Sequence, residues 1–88
     1  MAKFEGKGAD LHIDGKKVIR GWESWSGWYW FATEDTGRRY KGLPIWFGFV
    51  QGFEEEWGEF AEAELAELKG KVWEIPKGNL YYSGRGRE

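Results

Sequence analysis

The sequence predicts an α+β domain: a twisted, mostly antiparallel meander of about five or six strands with one short helix packed on one face. Three observations predict it. An Asp14-Gly15 pair separates two short runs that suit paired strands, and Asp-Gly favours the type I′ turn of a two-residue hairpin. Residues 28–33 and 43–50 are dense in aromatic and branched side chains, apolar on both faces, as central strands are. Residues 61–69 are the one stretch built from Ala, Glu and Leu, all strong helix formers.

In chain order, Ala9, Leu11 and Ile13 alternate with polar neighbours, the pattern of a half-buried edge strand. The next strand runs from Lys16 through Val18 towards Trp25, with Gly21 expected to mark a bulge and Ser26-Gly27 to turn the chain. After the 28–33 strand, the polar stretch Glu-Asp-Thr-Gly-Arg-Arg-Tyr-Lys-Gly at 34–42 reads as a loop. In the 43–50 strand Leu43, Ile45, Phe47 and Phe49 face one way, and Trp46, Gly48 and Val50 the other. Pro44, lacking an amide donor, belongs near its start. A turn at 52–55 and a shorter strand at 56–60 follow. The helix places Ala61, Leu65 and Leu68 on one face, Glu62 and Glu64 near the positive end of its dipole, and Gly70 at its cap. So short a helix must dock on the sheet to persist. Residues 72–75 and 80–82 suit a last hairpin around Pro76-Lys77-Gly78-Asn79, giving a single domain over 1–82 and a flexible basic tail over 83–88.

A chain of 88 residues buries a thin core, and the 7 Trp, 6 Phe and 4 Tyr supply the large side chains that compensate. With no cysteine and only His12, thiolate or histidine metal sites and Cys–His nucleophile pairs are excluded. Gly6-Lys7-Gly8 and Gly84-Arg85-Gly86-Arg87 are not followed by a helix start, so neither is a phosphate loop and no cofactor is expected. The absence of a long apolar run and of an apolar N-terminal core predicts a soluble, cytoplasmic protein with no membrane partner. Single Asn, Gln and Met residues beside abundant Glu, Lys and Arg give a thermophile-like composition. The net charge of −2 is unevenly spread. Residues 54–68 hold 7 Glu and no base, whereas the rest of the chain is mildly basic.

Two segments then stand out. Trp28-Tyr29-Trp30-Phe31-Ala32-Thr33-Glu34 has the form Trp-x-Trp-aromatic-x-Thr-Glu, and residues 47–60 have the form Phe-Gly-x-Val-x-Gly-x-Glu-x-Glu-x-Gly-x-Phe. In both, and in the Glu64-Leu65 pair that follows, the chain resembles a family of small proteins of unknown function encoded mainly on plasmids, phages and other mobile elements. The resemblance runs from about Val18 to Tyr82. It departs at Glu59, where the family usually has Tyr, and at Ala61, where it has a helix-capping Ser; the ending is echoed only loosely by Leu80-Tyr81-Tyr82. It implies a mixed α+β fold and a mobile-element setting, and it transfers no activity.

Three functional readings follow from the residues. The first is a noncatalytic binding module that takes a protein partner through an aromatic surface, since aromatics anchor protein interfaces. The second is single-stranded nucleic-acid binding, with Arg38, Arg39 and Lys41 on phosphates, Tyr40 beside them, and exposed tryptophans such as Trp28 and Trp30 stacking bases. The overall acidity weighs against tight binding of that kind. The third is a small metal-dependent or acid–base enzyme using Glu54 and Glu56, the two of the glutamate run that could share a face. The run lacks the spacing of a calcium loop, and edge protection explains it without chemistry. The sequence favours the first reading, no enzyme, and a monomer or weak homo-oligomer.

Overall fold

The computed structural model of the chain describes residues 2–7 and 10–80, and it holds two antiparallel sheets and one short helix. The first sheet contains β1 (Phe4–Lys7), β2 (Asp10–Ile13) and β3 (Lys16–Lys17). The second contains β4 (Arg20–Ser24), β5 (Tyr29–Tyr40), β6 (Leu43–Gln51), β7 (Glu55–Ala61) and β8 (Val72–Glu74), in the order β7-β6-β5-β4-β8. The helix α1 (Glu62–Ala66) follows β7, and a 3₁₀ turn (Lys77–Asn79) follows β8. The protein is thus richer in strand than the sequence predicts, with two sheets in place of a single meander. No helix among the described residues is long and apolar enough to cross a membrane.

Asp14 and Gly15 both take positive φ, +53° and +82°, which is the expected type I′ turn between β2 and β3. The strand expected from Lys16 to Trp25 is instead split between the two sheets. The Val18 amide still bonds to Leu11 in the first sheet, whereas the next amide, Ile19, bonds to Ala32 in the second. Two consecutive residues therefore make the crossing. It lets the first sheet fold over one face of the second, where Leu11, Ile13 and Val18 pack with Phe31, Phe49, Ile75 and Leu80. Phe4 closes this core, its ring edge-on to Phe31 at 5.8 Å and to Phe49 at 5.9 Å.

The opposite face carries Trp22, Ala32 and Trp46, covered by Leu65 of α1. Arg20 holds this layer together. Its guanidinium lies over the Trp22 ring at 4.8 Å and the Trp46 ring at 5.5 Å. It donates to Glu62 at 2.9 Å and to Glu74 at 2.6 Å, and the Trp46 indole N–H donates to the same Glu62 at 3.0 Å. The helix start, β4, β6 and β8 thus converge on one cation.

Three further expectations are corrected. The 34–42 segment is not a loop: β5 runs on to Tyr40, and a type I′ turn at Lys41 (φ +53°) and Gly42 (φ +81°) sends it back as β6. Its polar look comes from two register shifts, between Ala32 and Glu34 and between Asp35 and Arg39, which break the alternation a strand would show. Threonine hydroxyls repair the ladder there, Thr33 donating to the Phe47 carbonyl and Thr36 to the Ile45 carbonyl. Gly21 sits in register with Phe31 without a bulge; it is glycine because a Cβ would meet Leu80 at 2.9 Å. The helix has five residues rather than nine and buries Ala63 and Leu65, leaving Leu68 exposed. The chain bends back early, with the Lys71 and Val72 amides both bonding to the Leu68 carbonyl and Gly70 at φ +80°. Lys69 therefore lies beyond the helix end, where it adds nothing to the dipole. Of the expected last hairpin, the first arm is β8, which joins the sheet edge at β4, and Lys77–Asn79 form a 3₁₀ turn that seats Leu80 in the core; the rest of the second arm lies outside the described residues. Ala9, Tyr81, Tyr82 and the expected tail at 83–88 lie outside the described residues.

Two predictions test this architecture. A Cβ on Gly48 would sit 1.8 Å from the Phe31 carbonyl oxygen, where β6 approaches β5 beside the first register shift. Gly48→Ala forces backbone apart and is expected to cost about 3 kcal/mol or more, read as a fall in urea midpoint. At the helix start, Ala61 has the extended backbone of an N-cap (φ −96°, ψ 125°) but no side-chain acceptor. Ala61→Ser supplies one and is expected to raise stability by roughly 1 kcal/mol in the same assay.

Candidate binding surface

The β4–β5 turn and the β6–β7 turn lie at the same end of the larger sheet, because Tyr29 pairs with Gln51 and Gln51 with Glu55. The first turn is fixed by Ser24. Its backbone amide bonds to the Trp28 carbonyl at 2.9 Å, and its hydroxyl accepts from the Trp28 amide at 3.0 Å. Trp28 is thereby aimed across the sheet, over Gly52. A Cβ on Gly52 would lie 2.3 Å from the Trp28 ring, so only glycine lets the indole rest on the backbone. Trp30 stacks on Trp28 with centroids 5.9 Å apart, and Phe53 meets Trp28 edge-on at 5.3 Å. Both are favoured aromatic geometries.

Phe53 is 94% exposed and Trp25, in the neighbouring turn, 70% exposed. Trp28 and Trp30 are half-buried. Glu54, Glu55 and Glu56 are exposed. Glu56, paired with Val50 and through it with Trp30, lies on the tryptophan face, whereas Glu55 shares the Tyr29 face and accepts from the Gln51 side-chain amide at 3.0 Å.

The sequence groups Trp28 and Trp30 with Arg38, Arg39, Tyr40 and Lys41, and the structure separates them. The four polar residues occupy the other end of β5: Trp30 pairs with Val50 and Arg39 with Pro44, six residues apart along β6, or about 20 Å at about 3.3 Å per residue. Each cation there already has a carboxylate. Arg38 donates to Glu59, Arg39 to Asp35 at 3.3 Å, and Lys41 to Glu67 at 2.6 Å, with the Lys41 ammonium 5.4 Å from the Tyr40 ring. Glu59 raises the pKa of Arg38 and Glu67 that of Lys41, each through its hydrogen bond first and its charge second. Of the bases in the first hairpin and the strand after it, Arg20 is enclosed by its two glutamates, and Lys17 lies 3.6 Å from Asp10.

Glu54 lies in the β6–β7 turn, while Glu56 is held in β7 opposite Val50. Among the described residues no three His, Asp or Glu side chains come together in a way that could hold a metal ion. The residues that sequence reasoning missed are Phe53 and Gly52. A signal for the first was present: an aromatic set between glycine and three glutamates in a turn has no core to enter. Comparison with family models, with curated proteins and with solved structures finds no match to this chain.

The surface carboxylates set the acid response. The Lys3 backbone amide, donating at 2.8 Å, holds Asp14 below the usual carboxylate range, and the Trp57 indole adds to the effect. The Gly37 amide does the same for Asp35, and Arg38 for Glu59. A carboxylate whose folded pKa is lowered stabilises fully above its unfolded value, near 4, and loses that contribution as pH falls through the folded value. The melting temperature is therefore expected to hold level from pH 7 to about 5 and to decline below about 4. Asp14→Asn is expected to lower it at pH 7 and to flatten part of the acid decline.

Proposed function

We propose that this domain is a noncatalytic binding module that docks another protein on the Trp28–Trp30–Phe53 surface. The observation that carries the reading is Phe53: a large apolar ring, almost wholly exposed, is held against a tryptophan stack rather than scattered alone. Aromatic clusters of this kind supply the anchors of protein interfaces. Glu54 in the neighbouring turn and Glu56 on the Trp30 face favour a partner carrying Lys or Arg around an apolar centre, and they repel a phosphate backbone. The carboxylates on Arg38, Arg39 and Lys41 point the same way, since phosphate would first have to displace them. The placing of this activity in mobile-element biology rests on the resemblance of the 28–34 and 47–60 segments alone.

An amide NMR titration of the labelled protein tests the reading, using in turn a peptide bearing lysine and leucine, single-stranded DNA, and RNA. Shifts centred on Trp28, Trp30 and Phe53 with the peptide, weakening as salt rises, are expected. Phe53→Ser is expected to weaken that binding about tenfold while changing stability by less than about 0.5 kcal/mol, because the ring is exposed. Shifts centred on Arg38 to Lys41 with either nucleic acid, and none with peptide, would replace this account by nucleic-acid binding.

A further inference from the structure

The strand that leaves the aromatic surface is also an edge of the larger sheet. Among the described residues β7 (Glu55–Ala61) is last in the strand order and pairs with β6 alone. The direction of its free amides follows from the ladder. The Trp28 and Ala32 carbonyls accept from β4-side amides, so Tyr29 and Phe31 direct their backbone groups to β6. Their partners Gln51 and Phe49 point back, which leaves Gly48 and Val50 to bond Gly58 and Glu56 of β7. Glu55, Trp57 and Glu59 therefore present N–H and C=O outward, at the spacing a further antiparallel strand requires.

Gly58 lies in the middle of this edge and nothing within the fold demands it. Its φ is not positive, and a Cβ there would meet no atom within 4 Å. Gly48, its partner across the ladder, is forced by the Phe31 carbonyl; Gly58 has no such reason. Glycine inside a strand weakens it, and with no register shift at Gly58 to make it a bulge, close approach of another backbone is the use of such a glycine that fits an edge. In an added strand the residue opposite Gly58 falls in a non-hydrogen-bonded pair, the kind with the closer side chains, and an aromatic ring lying over an edge glycine suits that position.

Charge selects the occupant. Two copies paired through β7 would set Glu55, Glu56 and Glu59 from each chain along one seam. A strand carrying Lys or Arg opposite Glu55 and Glu56 meets attraction instead, whereas Glu59 is already satisfied by Arg38. We infer that β7 receives an extended segment of the partner protein as an antiparallel sixth strand, with an aromatic residue over Gly58 and basic residues opposite Glu55 and Glu56. This inference rests on the reading that the partner is a protein, and adds how it is held.

The test is hydrogen exchange and NMR on the full chain with the capped peptide Val-Thr-Tyr-Val-Lys-Lys, and with its control Val-Thr-Tyr-Val-Glu-Glu, up to millimolar concentration. The lysine peptide is expected to slow exchange of the Glu55, Trp57 and Glu59 amides at least tenfold, and the glutamate peptide to leave them unchanged. Gly58→Val fills the space over the strand, and Glu59→Pro removes one outward amide without touching the β6 ladder. Each is expected to weaken binding at least tenfold while melting within a few degrees of the parent. Shifts at Trp28, Trp30 and Phe53 with unchanged β7 exchange would overturn strand addition and leave aromatic docking standing. No response to the lysine peptide, or full binding by both variants, overturns it too. Protection of β7 without peptide, together with a dimer mass, would assign the edge to a second copy instead.

Discussion

The larger sheet depends on Arg20. A five-residue helix cannot persist alone in water, so α1 exists only because something fastens its start. The fastening is the Glu62–Arg20 ion pair, set on two indole rings that exclude water from one side of the guanidinium. Glu74 occupies the other donors and fixes β8 against β4. Glu62, through its bond to the Trp46 indole, also orients the ring that fills the layer beneath the helix. Because the pair is partly enclosed, removing one partner costs more than at the exposed pairs of the β5–β6 turn, where solvent screens the charges.

The two faces of the central strands are covered by different means, and this leaves the aromatic end free. The first sheet takes the Phe31–Phe49 face, reaching it through the crossing at Val18 and Ile19. The helix takes only the portion of the other face over Trp22, Ala32 and Trp46. Past Trp30, towards Gly52 and Phe53, neither reaches. The acidic stretch that looks like one block in the sequence is divided by the fold into separate duties: Glu59, Glu62 and Glu67 answer Arg38, Arg20 and Lys41, while Glu54 and Glu56 stay at the rim.

Much of the antiparallel ladder was legible from residue types. Asp14-Gly15, the alternation in β6 and the place of Pro44 near its start all follow from turn chemistry and the period of two. The outer half of β5 was hidden because its two register shifts disrupt that period, and its hydroxyl-to-carbonyl bonds leave no mark in hydropathy. β1, with Phe4 its only large apolar side chain, gave too short a signal. The grouping of Trp28 and Trp30 with the bases failed for one reason. A segment read as a loop can fold back on its neighbours, whereas a strand paired towards both ends, even one with two register shifts, holds those ends apart. Residues near each other in sequence were thereby placed far apart in space, and Phe53, far from Trp25 in sequence, was brought to the same end.

The pairing of β8 with β4 bears on how the chain assembles. β4, β5, β6 and β7 are successive neighbours, each joined by a short turn, so they can zip together through local contacts. β8 belongs beside β4 and reaches it only after the intervening strands and helix, a separation of about 50 residues whose closure costs roughly 3.5 kcal/mol in chain entropy before any contact repays it. Arg20 waits for that event to gain Glu74, and Gly21 waits for the Ile75 and Leu80 side chains that cover it. β8 and the turn after it thus act as a latch, and synthesis from the N-terminus delivers them after the strands they close on.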